Sequence, residues 1–372
     1  MSERKLIRVV VIDDIIEHPN ADSLELAIVG GWQVCVKKGE FTKGNLALYA
    51  EVDAMLPVDN ELFSFLAGSS NYDVDGKQYA RVKTIKLRKE LSQGILFPTH
   101  GIMCAEGEDY TDTFGVIKYE PPSERQGGKD NALKKARLFP AFIHKTDQER
   151  VQNIVRQYDA AVATGEEFEV TYKLDGSSFT AYIKGDKVGV CSRNVELQLE
   201  REVWSWKKRV VEMWKQFLKH GRYAKWQTGV DPESNSFTAL FNELNLGDRL
   251  RKARTYIGGD IAIQGEMVGP SIQGNFEGVD KNKLYVYSVF DIDKGEYFLP
   301  ELAQAIVSHI NLDYVPVLEY RTKLPATVAD ALATADGPSG LNGKYREGLV
   351  YKSLDRDFSF KVISNNYLLK EK

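Results

Sequence analysis

Short apolar runs broken by turn residues fill residues 5–98: LIRVVVID, HPNADSLELAIV, WQVCVKK and NLALYAEV, with YARVKTIKLR and GILFP further on. Gly30-Gly31, Gly39 and Gly44 punctuate the first of them. Runs this short, rich in β-branched residues, predict strands, and strands at this spacing close into a small barrel or sandwich. Residues 118–137, KYEPPSERQGGKDNALKKAR, combine Pro-Pro, Gly-Gly and mixed charge, so little can pack and a linker is expected. From FPAFIHKTDQERVQNIVRQYDAAV onward, a helix followed by strands predicts a second, α+β domain. Thr146 or Asp147 is the candidate cap of that helix, with Glu149 in its first turn. In REVWSWKKRVVEMWKQFLKHGRYAKW, 201–226, Val203, Trp206, Val210, Met213 and Phe217 recur at helical spacing. Eight Lys/Arg against two Glu make this segment either a core-packed helix with a solvated basic face or a phosphate-contacting surface.

Composition narrows the class. With 372 residues, 43% hydrophobic and 27% charged, the chain has the length for two domains with a core each. Its apolar runs fall short of a membrane span, and the opening MSERKLIRVVVIDD is too charged for a signal peptide. A cytoplasmic monomer with no membrane partner is therefore expected. Cys35, Cys104 and Cys191 stand far apart and the five histidines are scattered, which suggests neither a disulfide framework nor a zinc site. A formal charge of −4 argues against a surface generally coated by nucleic acid, leaving such binding to local patches. RVKTIKLRK gathers Arg81, Lys83, Lys86, Arg88 and Lys89, either as such a patch or as an edge strand protected by charge.

One stretch carries candidate chemistry. TYKLDGSSFTAY, 171–182, is a strand interrupted at Asp175-Gly176, and Asp-Gly is a common hairpin turn. YDVDGKQY, 72–79, has the same dipeptide at Asp75-Gly76 but carries Asp73 where the first stretch has Lys173. Further partners for Lys173 lie downstream: Arg193 in CSRNVEL, Glu266 in IAIQGEMVGPSIQGN, Phe290 in KLYVYSVFDID, Glu347 in REGLVYK and Lys361 in FSFKVISNNYLLK. Together they supply what nucleotidyl transfer needs. A lysine amine must be neutral to attack an α-phosphate, although its free pKa is about 10.4. A neighbouring cation such as Lys361, or a metal, would depress that pKa. Asp175, Glu266 and Glu347 are hard oxygen groups suited to a hydrated Mg²⁺ or Mn²⁺. Arg193 and Lys361 suit charge developing on phosphate oxygens, and Phe290 offers a ring for adenine.

The ordered set Lys-x-Asp-Gly, Ser-Arg-Asn, Gly-Glu, aromatic strand, Glu-Gly-Leu-Val-x-Lys and terminal lysine resembles the covalent nucleotidyltransferase superfamily of ligases and capping enzymes. HKTDQERVQN, 144–153, and QGEMVGPSIQGN, 264–275, are similar to ATP-dependent RNA ligases of the nick-sealing kind. Residues 18–52 resemble the N-terminal OB domain of one RNA ligase family, and also the OB modules of tRNA-binding proteins. The resemblance implies an α+β fold: an OB-fold β-barrel over 1–117, a linker over 118–137, and an ATP-grasp-like nucleotidyltransferase domain of antiparallel sheets with flanking helices over 138–372, carrying a helical insert at about 198–258. It implies that Lys173 becomes Lys-AMP and that Asp175, Glu266 and Glu347 hold the water shell of the metal. Arg193 and Lys361 would contact the nucleotide, Thr171, Tyr172 and Val350 would line its site, and Phe290 would stack on adenine. Arg150, with Gln152, would face the ATP phosphates. Related ligases often have Lys-x-Lys in the last motif; here Ser359 takes the first position, so Lys361 acts alone or with Lys370.

DNA ligases and mRNA capping enzymes share the lysine motif but usually carry an OB domain after the last motif. This chain ends eleven residues beyond Lys361, and its barrel-like region lies in front, an order that favours an RNA ligase. A non-catalytic OB-containing RNA-binding protein is the other alternative, but no acidic or basic member of the set is missing. The expectation is an ATP-dependent RNA ligase that seals 3′-OH/5′-phosphate nicks in RNA repair. It would grip nicked duplex RNA, or an RNA-containing duplex, through Arg81, Lys83, Lys86 and Arg88, and use Mg²⁺ or Mn²⁺.

Overall fold

The computed structural model describes all residues except 1–4, 70–71, 100, 102, 120–136, 200–234, 271, 343 and 371–372. The N-terminal strands form a small β-barrel-like unit. Ile7–Val11, Leu46–Ala50 and Ile95–Pro98 make one antiparallel sheet, and Asp14–Glu17, Leu24–Val29 and Trp32–Lys37 a second. A third sheet has Ala54–Pro57 between Lys77–Arg81 and the short strand Ile117–Lys118. Alternation along these strands turns Ile7 and Val9 into one core and Val34 and Val36 into another. Here Asp75-Gly76 is a true hairpin turn, with φ of 53° and 80°, joining the paired strands Tyr72–Val74 and Lys77–Arg81.

The C-terminal part is built on two sheets. One has eight strands, with Ser177–Lys184, Ile261–Val268 and Lys283–Asp291 at its centre. The other has five, in the order Glu149–Arg150, Ser359–Ile363, Gly348–Ser353, Glu167–Lys173, Val317–Lys323. Each sheet buries one face under helices. Phe179, Ala181, Ile183, Ile263 and Met267 pack with helices Ser236–Glu243, Leu246–Ile257 and Pro300–His309. Phe168, Val170, Leu349, Tyr351, Phe360 and Val362 pack with helices Val155–Thr164 and Val328–Ala335. The intervening side chains, among them Thr171, Lys173, Ser178, Thr180, Gln264, Glu266, Val350, Lys352 and Lys361, line one cavity. Period-two alternation in two sheets thus puts greasy faces outward under helices and polar faces inward.

Two expectations shift. The first helix begins at Val155, not near Thr146 or Asp147, and its N-terminus at Ile154 has no side-chain cap. The linker begins later than residue 118, because Lys118 is in a strand paired with Ala54 and Tyr119 donates its N–H to the carbonyl of Asp53. Its middle, and the basic segment 201–226, lie outside the described residues. Within the expected insert, residues 236–243 and 246–257 are helical.

Residues 149–153 fasten the two parts together. Gly31 donates its N–H to the carbonyl of Gln152 at 3.1 Å, and Asn153 Oδ1 accepts from Trp32 Nε1 at 2.8 Å and from Arg8 at 2.9 Å. The contact leaves no room for a side chain at Gly31, where a Cβ would lie 2.7 Å from the Cα of Gln152. Gly31→Ala should therefore lower stability by about 1–3 kcal/mol in a urea titration, since backbone must move to admit the methyl. Gly68→Ala, where a Cβ meets nothing within 4 Å, should leave the midpoint within experimental scatter. Equal midpoints for the two variants would mean that this contact is not tight in solution.

Candidate active site

The Asp175-Gly176 turn does not close a hairpin. Glu167–Lys173 pairs with Gly348–Ser353 and Val317–Lys323 in the five-stranded sheet, whereas Ser177–Lys184 pairs with Ile261–Val268 in the eight-stranded one. The chain crosses from one sheet to the other between Lys173 and Ser177, so Lys173 ends up in the cleft between them. The crossing is tight: a Cβ on Gly176 would stand 2.4 Å from the carbonyl oxygen of Met267 and 2.9 Å from Glu266 Cγ. Only glycine fits. The carboxylate of buried Glu277 accepts the Asp175 N–H at 3.1 Å and the Ser339 hydroxyl at 3.1 Å, holding the turn from behind. Tyr367 donates its hydroxyl to Asp175 Oδ2 at 3.0 Å.

Lys173 Nζ donates to Glu347 Oε1 at 2.5 Å, while Glu347 Oε2 is buried without a hydrogen-bond partner. Glu266, cross-strand from Ser178, and Asp175 complete an acidic surround. Burial alone pushes the Lys173 ammonium toward deprotonation, but Glu347, Glu266 and Asp175 more than reverse it, so its pKa is raised. This corrects the expectation of a lysine depressed by Lys361: before nucleotide and metal arrive, carboxylates dominate its field. Burial and mutual repulsion push Glu266 up to about 8 and Glu347 up to about 7, against the pull of Lys173. Once ionised, three carboxylates around one ammonium leave negative charge that a divalent cation would balance. Among the described residues no three His, Cys, Asp or Glu side chains stand close enough to ligate a metal directly. The donor set therefore fits an ion held through its own water, with the orphaned Glu347 oxygen as one acceptor.

Cations line the cavity beyond this cluster. Asp147 draws Lys118 at 3.0 Å, Lys361 at 3.3 Å and Arg193 at 3.4 Å. Burial raises its pKa, yet these three cations together hold it well below the usual carboxylate range. Deeper in, Asp53 accepts from Arg81 at 2.6 Å and from Arg150 at 2.9 Å, and the Arg81 guanidinium lies 3.6 Å from the centroid of the Tyr119 ring. Arg150 is buried, with Nε and Nη1 left without hydrogen-bond partners. The cavity, about 790 Å³, thus combines an acidic cluster around a lysine with cations contributed partly by the N-terminal barrel.

The structure brings most of the expected residues together. Lys173, Asp175, Arg193, Glu266, Glu347, Lys361, Arg150, Thr171, Tyr172 and Val350 all line this cavity. Phe290 does not. It is fully buried in a cluster with Tyr182, Cys191 and Ala262, under His144 and Tyr297. A one-residue bulge opposite Gln264 and Gly265 leaves Tyr287 without a cross-strand partner, and that ring lines the cavity instead. Gln152 is also displaced: it is 2% exposed and packs against Gly31, away from the cavity wall. Arg81 is not on an open nucleic-acid surface but inside the cavity. Lys83 is half-buried, whereas Lys86, Arg88 and Lys89 are exposed, on the hairpin formed by Thr84–Leu87 and Glu90–Gln93. Lys370 rests over the Tyr345 ring at 3.6 Å and does not line the cavity, so it does not share the place of Lys361. Sequence reasoning gave no role to Lys118, Tyr287, Gln264 or Lys352, nor to Asp147 as a cavity group, although Lys352 closes the Glu-Gly-Leu-Val-x-Lys motif. Tyr287 and Gln264 sit three and two residues from Phe290 and Glu266, and strand alternation was the available signal.

Two sheets enclosing a lysine at a sheet-to-sheet crossing, with carboxylates on adjoining strands, form a nucleotidyltransferase-like domain. A family model described as RNA ligase matches residues 166–363, and one described as an OB-fold domain matches residues 6–99. Solved structures of Naegleria gruberi RNA ligase are similar over nearly the whole chain. An apo variant is 35% identical at a TM-score of 0.81, covering 99% of this chain and 98% of that one. The enzyme with pyrophosphate is 35% identical at 0.79, covering 98% of each chain, and a variant with ATP and Mn is 34% identical at 0.80 over 98% of each. A search of curated protein sequences returned no significant match. The chain belongs to the RNA ligase family. It is an ATP-dependent RNA ligase with an N-terminal OB-fold domain that uses a divalent metal.

The acidic cluster carries a pH signature. Groups whose folded pKa lies above the unfolded value stabilise the fold fully below the unfolded value and lose that contribution as pH rises through the folded one. For Glu266 and Glu347 this loss falls between about pH 4.5 and 8. Metal-free protein should thus lose Tm across that window more than the Glu266→Gln variant does, and Mg²⁺ or Mn²⁺ should raise Tm more at pH 8 than at pH 6. Parallel melting profiles for the two proteins would show that Glu266 is not held up in this way.

Proposed function

We propose that the chain seals 3′-OH/5′-phosphate nicks in duplex RNA, with Lys173 as the nucleophile. The observation that carries the reading is the placement of Lys173 Nζ among Glu347, Glu266 and Asp175 in a cavity that Lys118, Arg193, Lys361 and Arg150 also line. In the first step the neutral Lys173 amine attacks the α-phosphorus of ATP. A P–N bond forms, the P–O bond to pyrophosphate breaks, and the amine gives up its proton. A divalent metal bound near the acidic cluster would offset the carboxylate field and withdraw charge from the α-phosphate oxygens. Lys361 and Arg193 neutralise charge on the transferring phosphate, and Arg150 meets the leaving pyrophosphate with its free N–H groups. The triphosphate must displace Asp147, whose carboxylate already sits among three cations.

In the second step an oxygen of the nick 5′-phosphate attacks the lysyl-AMP phosphorus, breaking the P–N bond and returning the amine. In the third, the 3′-OH attacks the activated 5′-phosphorus, forming the phosphodiester, releasing AMP and losing its proton. Exposed Lys86 and Arg88 on the OB hairpin would contact backbone phosphates of the duplex, with half-buried Lys83 in support. Selection of RNA over DNA would rest on A-form shape and 2′-OH contacts. RNA repair in the cytoplasm by a monomer with an OB unit over 1–117 and a catalytic unit over 138–372 completes the reading.

Wild-type protein incubated with α-labelled ATP and Mg²⁺ or Mn²⁺ should acquire a covalent label, and Lys173→Ala should acquire none. Label persisting on Lys173→Ala would refute the nucleophile. The duplex claim has its own check. Joint reversal at Lys86 and Arg88 should weaken nick binding and sealing about tenfold or more at moderate salt while self-adenylylation stays near wild type. Arg81→Ala, by contrast, should slow the first step, because Arg81 lines the cavity. Efficient joining of single-stranded ends, with nicked duplexes left unsealed, would overturn the nick assignment.

A further inference from the structure

We propose that Gln264 is the residue that reads the purine base, by accepting a hydrogen bond from the 6-amino group of adenine. Gln264 is 1% exposed and lines the cavity on the same strand face as Glu266, two residues away. Its amide orientation is set by the backbone that carries His144. Nε2 donates to the carbonyl oxygen of His144 at 2.7 Å, and the Tyr297 hydroxyl donates to the same oxygen at 3.1 Å. Flipping the amide would place Oε1 against a carbonyl oxygen, two acceptors face to face. The amide is therefore locked with Oε1 turned the other way, and that Oε1 is buried without a hydrogen-bond partner.

An orphaned buried acceptor costs stability, and a ligand donor that reaches it recovers that cost. Adenine presents an N–H donor at C6, whereas guanine and hypoxanthine present a carbonyl oxygen there, which would meet Oε1 acceptor to acceptor. The Tyr287 ring and Val350 side chain in the same cavity give the base apolar walls. Glu266, one pleat further along the strand, places the α-phosphate chemistry at the opposite end of the nucleoside from this contact. The inference rests on ATP occupying this cavity.

The test compares self-nucleotidylylation by ATP and by purine riboside triphosphate, which lacks only the 6-amino group, with GTP alongside. Wild-type protein should favour ATP over purine riboside triphosphate by about 10- to 100-fold in kcat/KM, and reject GTP more strongly. In Gln264→Met, of similar volume and without the acceptor, that preference should shrink to within about threefold, mainly through loss of efficiency with ATP. A structural role alone would slow both nucleotides equally and leave the ratio unchanged, which would overturn the proposal. Wild-type protein that uses both nucleotides equally well would overturn it without any variant. Absence of label from every nucleotide would instead remove the covalent reading of Lys173, so the two failures are told apart in one assay.

Discussion

The crossing of the chain from one sheet to the other between Lys173 and Ser177 is the constraint on which the catalytic cleft depends. Gly176 leaves no room for a side chain beside the backbone of Met267 and the side chain of Glu266, so only glycine can lead into the strand that enters the second sheet. Inner-face side chains on each sheet confront one another across the cavity. Thr171, Val350, Lys352 and Lys361 come from one sheet, and Ser178, Gln264, Glu266 and Tyr287 from the other. Glu277 ties the crossing to the loop after Ile261–Val268 through the Asp175 N–H, so the turn is held by hydrogen bonds as well as by lack of space. A larger residue at 176 would push Glu266 and Lys173 apart before it altered any contact to nucleotide.

The charges along the cavity follow from the same geometry. At the lysine end, carboxylates from three strands or turns are brought together with too little positive charge, and they leave Glu347 with one unsatisfied oxygen. Elsewhere on the cavity wall cations gather around Asp147 and Asp53, each held near a carboxylate that a phosphate can replace. A metal and a polyphosphate are the two charges that complete this arrangement. The OB-fold unit takes part in it: Asp53, Arg81, Lys118 and Tyr119 reach into the cavity, and the 149–153 segment docked on Gly31 aligns Arg150 with them.

Much of the site was legible in the chain because its chemistry is written in short, ordered motifs. Lys173, Asp175, Glu266, Glu347 and Lys361 needed only their order and residue type to be grouped, and the structure brings all five to one cavity. Phe290 was misread because an aromatic strand offers several rings and a bulge resets which of them faces inward. Gln152 and Arg150 are two apart on an irregular segment, where alternation does not apply, and only Arg150 reaches the cavity. Arg81 looked like part of an exposed basic strip, but its partner Asp53 lies 28 residues earlier, and a pairing of that kind has no local signature.

The sequence by itself determined which residues could do the chemistry and how the chain divides into short strands, helices and a linker-like stretch. These follow from side-chain chemistry and local periodicity, which are properties of neighbours in the chain. Tertiary structure alone decided that Asp175-Gly176 is a passage between sheets while Asp75-Gly76 is a hairpin. The two dipeptides share a local code, and the difference lies in which distant strands hydrogen-bond to their flanks. Packing likewise selected Tyr287 over Phe290, raised the Lys173 pKa rather than lowering it, and left the Gln264 acceptor buried without a partner. Each of these depends on groups brought together from far along the chain in a space that excludes water.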